Sequence, residues 1–213
     1  MPTHTYYYIL AGDNLPARDW TPIRARRLAL HPQGGSASID PATAVVLARG
    51  DRLYLIGGRG RVIASAAATA TLYDIARACA RSVADLWRPE YVVQRYLETG
   101  DITLRSMASC TAQDAVHHLS VDAGEHDRAD LLAARAAAIA ACCEASLAAR
   151  QAMHLTAAAR AHHLAAQSSE EWDTIYARQW RECARVARRM ISAYARTLLE
   201  QRAKSKTKTK GAK

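Results

Sequence analysis

The chain has 213 residues, half of them hydrophobic, with a formal net charge of +9. That length suits one large domain, or a small domain joined to a larger one, with apolar content enough for a core. No stretch approaches 18 apolar residues free of charge, which argues against a membrane-spanning helix.

Tyr6-Tyr7-Tyr8-Ile9-Leu10 has strong β propensity and runs into the turn cluster Gly12-Asp13-Asn14. Thr21-Pro22-Ile23-Arg24 opens a short helix to about Leu30, which His31-Pro32-Gln33-Gly34-Gly35 breaks. Asp40-Pro41 is a helix start signal, so a short helix is expected from Pro41 to Ala48, ending at Gly50-Asp51. Two β-prone runs, Arg52 to Ile56 and Arg61 to Ala64, flank Gly57-Gly58-Arg59-Gly60. That glycine run has neither a Walker Lys-Ser/Thr pair nor GxGxxG spacing, so it is read as a hairpin turn and not a phosphate loop.

From about Ala66 the pattern turns helical. Leu72, Ile75, Cys79, Val83, Leu86 and Trp87 recur at three- and four-residue steps between Thr69 and Trp87, with Arg77 and Arg81 opposite. Pro89 opens a helix to Glu98 that Gly100 closes, and Asp101 caps another to about Leu119. Asp122-Ala123-Gly124-Glu125 is a loop. Residues 127–167 contain no Pro or Gly. Continuing their apolar phase straight would bring Arg150 onto it, so two helices, or one with a kink near 149–152, are expected.

Ser168 and Glu171 match a capping box before the last helix. In that helix Trp172, Ile175, Tyr176, Trp180, Cys183, Val186, Met190, Ile191, Tyr194 and Leu198 share one arc of a helical wheel. Arg178, Arg181, Arg185, Arg188, Arg189 and Arg196 lie on the other side. The tail from Lys204 has nothing to bury and is expected to be disordered.

Composition tempers the charge. Ala is the commonest residue and there is no Phe, so the core must come from tightly packed small side chains. The joint Ala and Arg bias is that of a high-GC bacterial genome, which enriches Arg without selection for function. Five of the positive charges, Lys204, Lys206, Lys208, Lys210 and Lys213, belong to the tail, leaving +4 on residues 1–203.

Chemistry is sparse. The five cysteines, Cys79, Cys110, Cys142, Cys143 and Cys183, are odd in number and irregular in spacing, and are read as buried free thiols in apolar helices. The start of the chain lacks the pattern of a secretory leader, so the expected location is the cytoplasm. His117-His118, His126, His154 and His162-His163, with Cys142-Cys143, are the metal candidates. Zinc spacings such as CxxC or HExxH do not occur, and adjacent ligands on a helix diverge by about 100°, so no metal or other cofactor is expected. His126-Asp127 matches a phosphohydrolase dipeptide without its partners. No GxSxG elbow occurs, and Glu170-Glu171 are read as offsetting the dipole of the last helix. No catalytic residue is assigned.

The stretch from Trp87 to Ala115, WRPEYVVQRYLETGDITLRSMASCTAQDA, resembles a group of Ala-rich bacterial proteins in which a YLETGD-x-x-LR junction leads into Ala-rich helices. IYARQWRECARVARRMI is similar to how such chains finish. The group includes immunity proteins of bacterial toxin systems, and the likeness spans about residues 70–195. It implies a helical array that acts by binding, with no catalytic residues to carry over.

The expected fold is mainly α: an Ala-rich multi-helix bundle or array over residues 66–203, with a small mixed α/β N-terminal segment at 1–65 and a basic tail at 204–213. The expected function is binding of another protein, such as a toxin, through the Arg face, as an immunity or antitoxin protein does. A second reading is a nucleic-acid-associated protein that places the Arg face and the Lys tail on phosphates. A third is an enzyme whose site assembles from distant residues.

Overall fold

A computed structural model describes residues 6–10, 44–49, 51–57, 61–123 and 129–210. They form four strands, β1 (Tyr6–Leu10), β2 (Ala44–Arg49), β3 (Arg52–Gly57) and β4 (Arg61–Ala67), then six α-helices and one 3-10 turn. The helices are α1 (Thr69–Arg81), α2 (Tyr91–Thr99), α3 (Arg105–Ala123), α4 (Ala129–Cys142), α5 (Ala145–Ala165) and α6 (Trp172–Lys210). The fold is mainly α, as expected. Two compact units divide the chain: residues 1–71 with 188–213, and residues 72–187. The sequence places a boundary near 65 and a separate tail, but the end of α6 belongs with the sheet.

In the first unit the strands lie in chain order, β1 parallel to β2 and the other pairs antiparallel. β2 corrects the helix expected at 41–48. Val45-Val46-Leu47 is a β-branched-rich run, and with strands on both sides every one of its residues finds a ladder partner. Arg49 pairs with Arg52, so β2 and β3 form a tight hairpin. The β3–β4 hairpin is present with a register irregularity at Leu55/Ile56, while Gly58-Arg59-Gly60 lie outside the described residues. The short helix expected at 21–30 lies outside them too. Leu53 is fully buried, and the Tyr194 hydroxyl of α6 donates to the Ala67 carbonyl at the end of β4.

The second unit is organised around α4. Leu131, Leu132, Ala133, Ala134, Ala136, Ala137, Ala138, Ala140 and Ala141 are all buried. A helix with buried residues on most of its circumference belongs in the middle of a bundle, and its Ala side chains let α3 and α5 approach closely. The amphipathic run from Thr69 ends sooner than its periodicity suggests. α1 stops at Arg81, a 3-10 turn covers Ala84–Leu86, and Arg88 takes a left-handed conformation (φ 52°) before Pro89. The proline disfavours a helical residue before it, which separates α1 from α2.

α2 ends as the sequence implies: Gly100 is left-handed (φ 69°) and its N–H donates to the Tyr96 carbonyl at 2.8 Å. The Asp101 carboxylate takes the N–H and hydroxyl of Thr103 at 2.9 and 2.7 Å, capping the turn before α3 instead of the helix itself. That helix reaches Ala123, so Asp122 and Ala123, expected in a loop, are helical, while Gly124 and Glu125 lie outside the described residues. Residues 129–165 are two helices, but the break falls at Cys143-Glu144 and not at 149–152. Two groups from elsewhere in the bundle fix it there. Arg105 donates from Nε to the Ala141 carbonyl (2.7 Å) and from one terminal nitrogen to the Cys143 carbonyl (3.2 Å) and the Tyr73 hydroxyl (2.6 Å). Tyr73 donates to the Cys143 carbonyl at 2.9 Å. Arg105 opens α3, the wrong end for a cation on its own helix dipole, but it is aimed at the carbonyl end of α4.

Candidate functional site

The Arg side of α6 is exposed where the second unit includes it. Arg178 forks onto both carboxylate oxygens of Glu170 at 3.1 and 3.0 Å. Arg185 pairs with Glu182 one turn back, the relief of repulsion that the sequence suggests. Arg181 lies between them, exposed, with its Nε donating only to the Ala177 carbonyl at 3.1 Å. Among the described residues no carboxylate meets it. The surface is thus a mixed-charge strip with one uncompensated guanidinium at its centre.

Arg188, Arg189 and Arg196 continue the same helix in the first unit. Arg189 is exposed; the side chains of Arg188 and Arg196 lie outside the described groups. Helix α6 runs on through Lys204, Lys206, Lys208 and Lys210, which corrects the disordered tail. No Gly or Pro interrupts residues 172–210, and Lys near a helix C-terminus complements the dipole. Lys213 lies outside the described residues.

The start of α6 differs from the capping-box pattern. The helix begins at Trp172, with the Glu171 carbonyl accepting from Thr174 and Ile175, so Glu171 sits at the cap and not at the third helical position. The Ser168 hydroxyl takes the Glu170 N–H instead, at 3.4 Å. Glu170 is thereby left free to turn towards Arg178. Of the apolar arc, Ile175, Trp180, Cys183 and Ile191 are buried, and Trp172, Tyr176, Val186, Met190 and Tyr194 are half-buried. Trp172 and Tyr176 stack at 4.9 Å with His162 against Trp172. The indole N–H groups of Trp87 and Trp172 are buried without a partner.

Among the described residues the histidines do not converge. His154 shares a hydrogen bond with the Tyr176 hydroxyl (2.7 Å), His163 one with Gln167 (3.1 Å), and His117 and His118 lie side by side, exposed, on α3. His126-Asp127 lies outside the described residues. Cys142 and Cys143 touch through sulfur at 3.5 Å, but among the described residues no three His, Cys, Asp or Glu gather as a metal site. The cysteines are not uniformly buried as expected: Cys110 and Cys142 are exposed. Burial and the neighbouring Cys142 thiol push the Cys143 thiol up to about 11.

A cavity of about 200 Å³ is lined by α1, α5 and α6 within the second unit. Cys79 and Cys183 lie on its wall, with Thr156, Arg160, Gln179 and Glu182. Arg160 grips both oxygens of Asp85 at 2.9 and 2.8 Å and also donates to the Ser82 carbonyl, so it caps the C-terminal end of α1. That pairing holds the Asp85 carboxyl below the usual carboxylate range. No sequence signal pointed to this cavity, because its walls come from three helices far apart in the chain.

No protein-family model matches the chain, and neither a curated protein nor a solved structure was found that resembles it. No helix among the described residues is long and apolar enough to cross a membrane.

Proposed function

We propose that the chain is a non-enzymatic protein-binding protein of the immunity or antitoxin kind, acting in the cytoplasm. It docks an acidic partner, such as a toxin, on the Arg178–Arg185 strip of α6. The observation that carries this reading is the alternation of charge along that strip. A surface built for phosphates leaves its cations unpaired, since affinity there scales with cations available to displace counterions. Here two of three guanidiniums are already held by carboxylates. A mixed strip suits a partner with a matching pattern, because like charges placed opposite each other reject the wrong protein. Arg181 then supplies the open donor for a partner carboxylate. The resemblance of residues 70–195 to Ala-rich immunity proteins supports the same reading.

The nucleic-acid reading draws on Arg189 and the lysines of α6 and differs in its salt dependence. Binding of the full chain to a labelled DNA duplex, followed by fluorescence anisotropy across a salt series, separates the two. The protein-docking reading expects weak binding that vanishes by physiological salt. Tight duplex binding that survives physiological salt and weakens on Arg181→Glu would overturn it.

A further inference from the structure

We propose that Cys142 and Cys143, at the break between α4 and α5, form a dithiol site that chelates a trivalent arsenic oxyanion, arsenite. The inference is independent of the protein-docking reading. In a continuous helix, neighbouring side chains diverge by about 100°. α4 ends at Cys142, however, and the chain bends at Cys143, which brings the two sulfurs to 3.5 Å. Both can be reached from solvent, since Cys142 is exposed and Cys143 half-buried.

The pair is held from both sides. Arg105 donates to the Ala141 carbonyl before it and to the Cys143 carbonyl at its end, and Tyr73 donates to the second of these as well. The backbone that carries the sulfurs is thus anchored to α1 and α3, and a ligand does not have to order it.

Geometry selects the ligand. With bonds of about 2.3 Å to sulfur, a centre bent at about 100° spans about 3.5 Å, whereas a linear ion such as copper(I) spans about 4.6 Å. Trivalent arsenic is pyramidal and takes three donors, so one hydroxide completes what two sulfurs begin. Zinc needs about four donors, and among the described residues no third His, Cys, Asp or Glu joins the pair. A direct disulfide is strained, because Cα atoms one peptide apart are about 3.8 Å from each other, short of the roughly 4.4–6.8 Å that disulfides bridge. An arsenic atom between the sulfurs lengthens the ring and relieves that strain.

Proton balance points the same way. Burial and the neighbouring thiol push Cys143 up to about 11, which handicaps any cation that must displace its proton. Arsenous acid brings its own leaving groups. Two As–O bonds break, two As–S bonds form, and each departing hydroxide leaves with a thiol proton as water. Arsenic stays trivalent, keeps one hydroxide, and no net proton is released. Affinity should therefore change little between about pH 6 and about pH 8, where that of a divalent cation climbs.

The test uses the full chain, reduced and kept anaerobic, titrated with arsenite. Native mass spectrometry counts bound arsenic, and arsenic X-ray absorption reads its neighbours. Cys142→Ser, Cys143→Ser and Cys110→Ser variants are compared, with circular dichroism verifying each fold. The expected result is one arsenic per chain on two sulfurs and one oxygen, lost in folded Cys142→Ser and Cys143→Ser and retained in Cys110→Ser. With arsenite at about ten times its Kd, alkylation of Cys142 in the wild type should slow roughly tenfold, since only the unbound dithiol reacts. No uptake by the wild type would overturn the proposal. So would uptake that survives Cys142→Ser, three sulfur neighbours, or an affinity that climbs with pH as a cation's does.

Discussion

Replacing Arg105 with Ala removes the clamp that ends α4. Three contributions are lost together: two charge-assisted bonds to the Ala141 and Cys143 carbonyls, the interaction of a cation with a helix C-terminus, and a guanidinium 4.1 Å over the Tyr73 ring. Hydrogen bonds from a charged donor contribute about 1.5–3 kcal/mol each. The helix-end and cation–π effects contribute about 1 kcal/mol apiece. They share one half-buried side chain and do not add, so the expected loss is about 3 kcal/mol. For a chain of this size that lowers the melting temperature by roughly 6–12 °C. Arg105→Lys keeps the charge but not the planar fork and should lose roughly half as much. Tyr73→Phe, which removes one hydroxyl, should cost about 1 kcal/mol. Thermal and urea unfolding of the three variants read these values. A loss below about 0.5 kcal/mol for Arg105→Ala would refute the claim that this residue sets the α4–α5 break.

Gly100→Ala should destabilise by about 1–2 kcal/mol in urea unfolding, since it forces a left-handed alanine whose Cβ meets the Arg77 guanidinium. With alkylating reagent at pH near 8, mass spectrometry should find Cys110 and Cys142 modified first. Cys143, pushed up to about 11 from an ordinary 9.0, should carry roughly a hundredfold less thiolate, and buried Cys79 should react last. The Asp85 carboxyl is depressed by Arg160, so its contribution to stability is present above the ordinary carboxylate pKa and is lost as pH falls through the lower folded value. Asp85→Asn should flatten the acid limb of a stability–pH curve and leave the slope above pH about 5 unchanged. Because Asp85 is largely exposed, the effect should be small and should shrink with salt.

What could be read from the sequence was what local chemistry decides. Gly100 ending α2, the β3–β4 hairpin and the buried arc of α6 each depend on residues within a turn or two of one another. The sequence of β2 implies a helix because Asp40-Pro41 is a strong local helix signal, while the strand is decided by ladder partners on both sides. The break at Cys143-Glu144 was misplaced for a related reason: the groups that fix it, Arg105 and Tyr73, lie on other helices. Arg105 and Arg160 look like solvated surface in an Arg-rich chain but act as caps on helices remote in sequence. The exposed Arg178–Arg185 strip was legible, as was the role of Glu182. The pairing of Arg178 with Glu170 was not, because it follows from a helix start one turn later than the capping box implies. That Cys79 and Cys183 line one cavity depends on how α1 and α6 pack and has no local signature.

The central claim is that the α6 strip docks a protein, and affinity capture from host lysate tests it most directly. Tagged wild-type chain is compared with an Arg178→Glu, Arg181→Glu, Arg185→Glu variant, at moderate salt with and without nuclease treatment, with circular dichroism verifying the variant's fold. The account predicts one stoichiometric acidic protein on the wild type, absent from the charge-reversed variant. Equal capture by both chains, or capture of nucleic acid alone that nuclease removes, would contradict it.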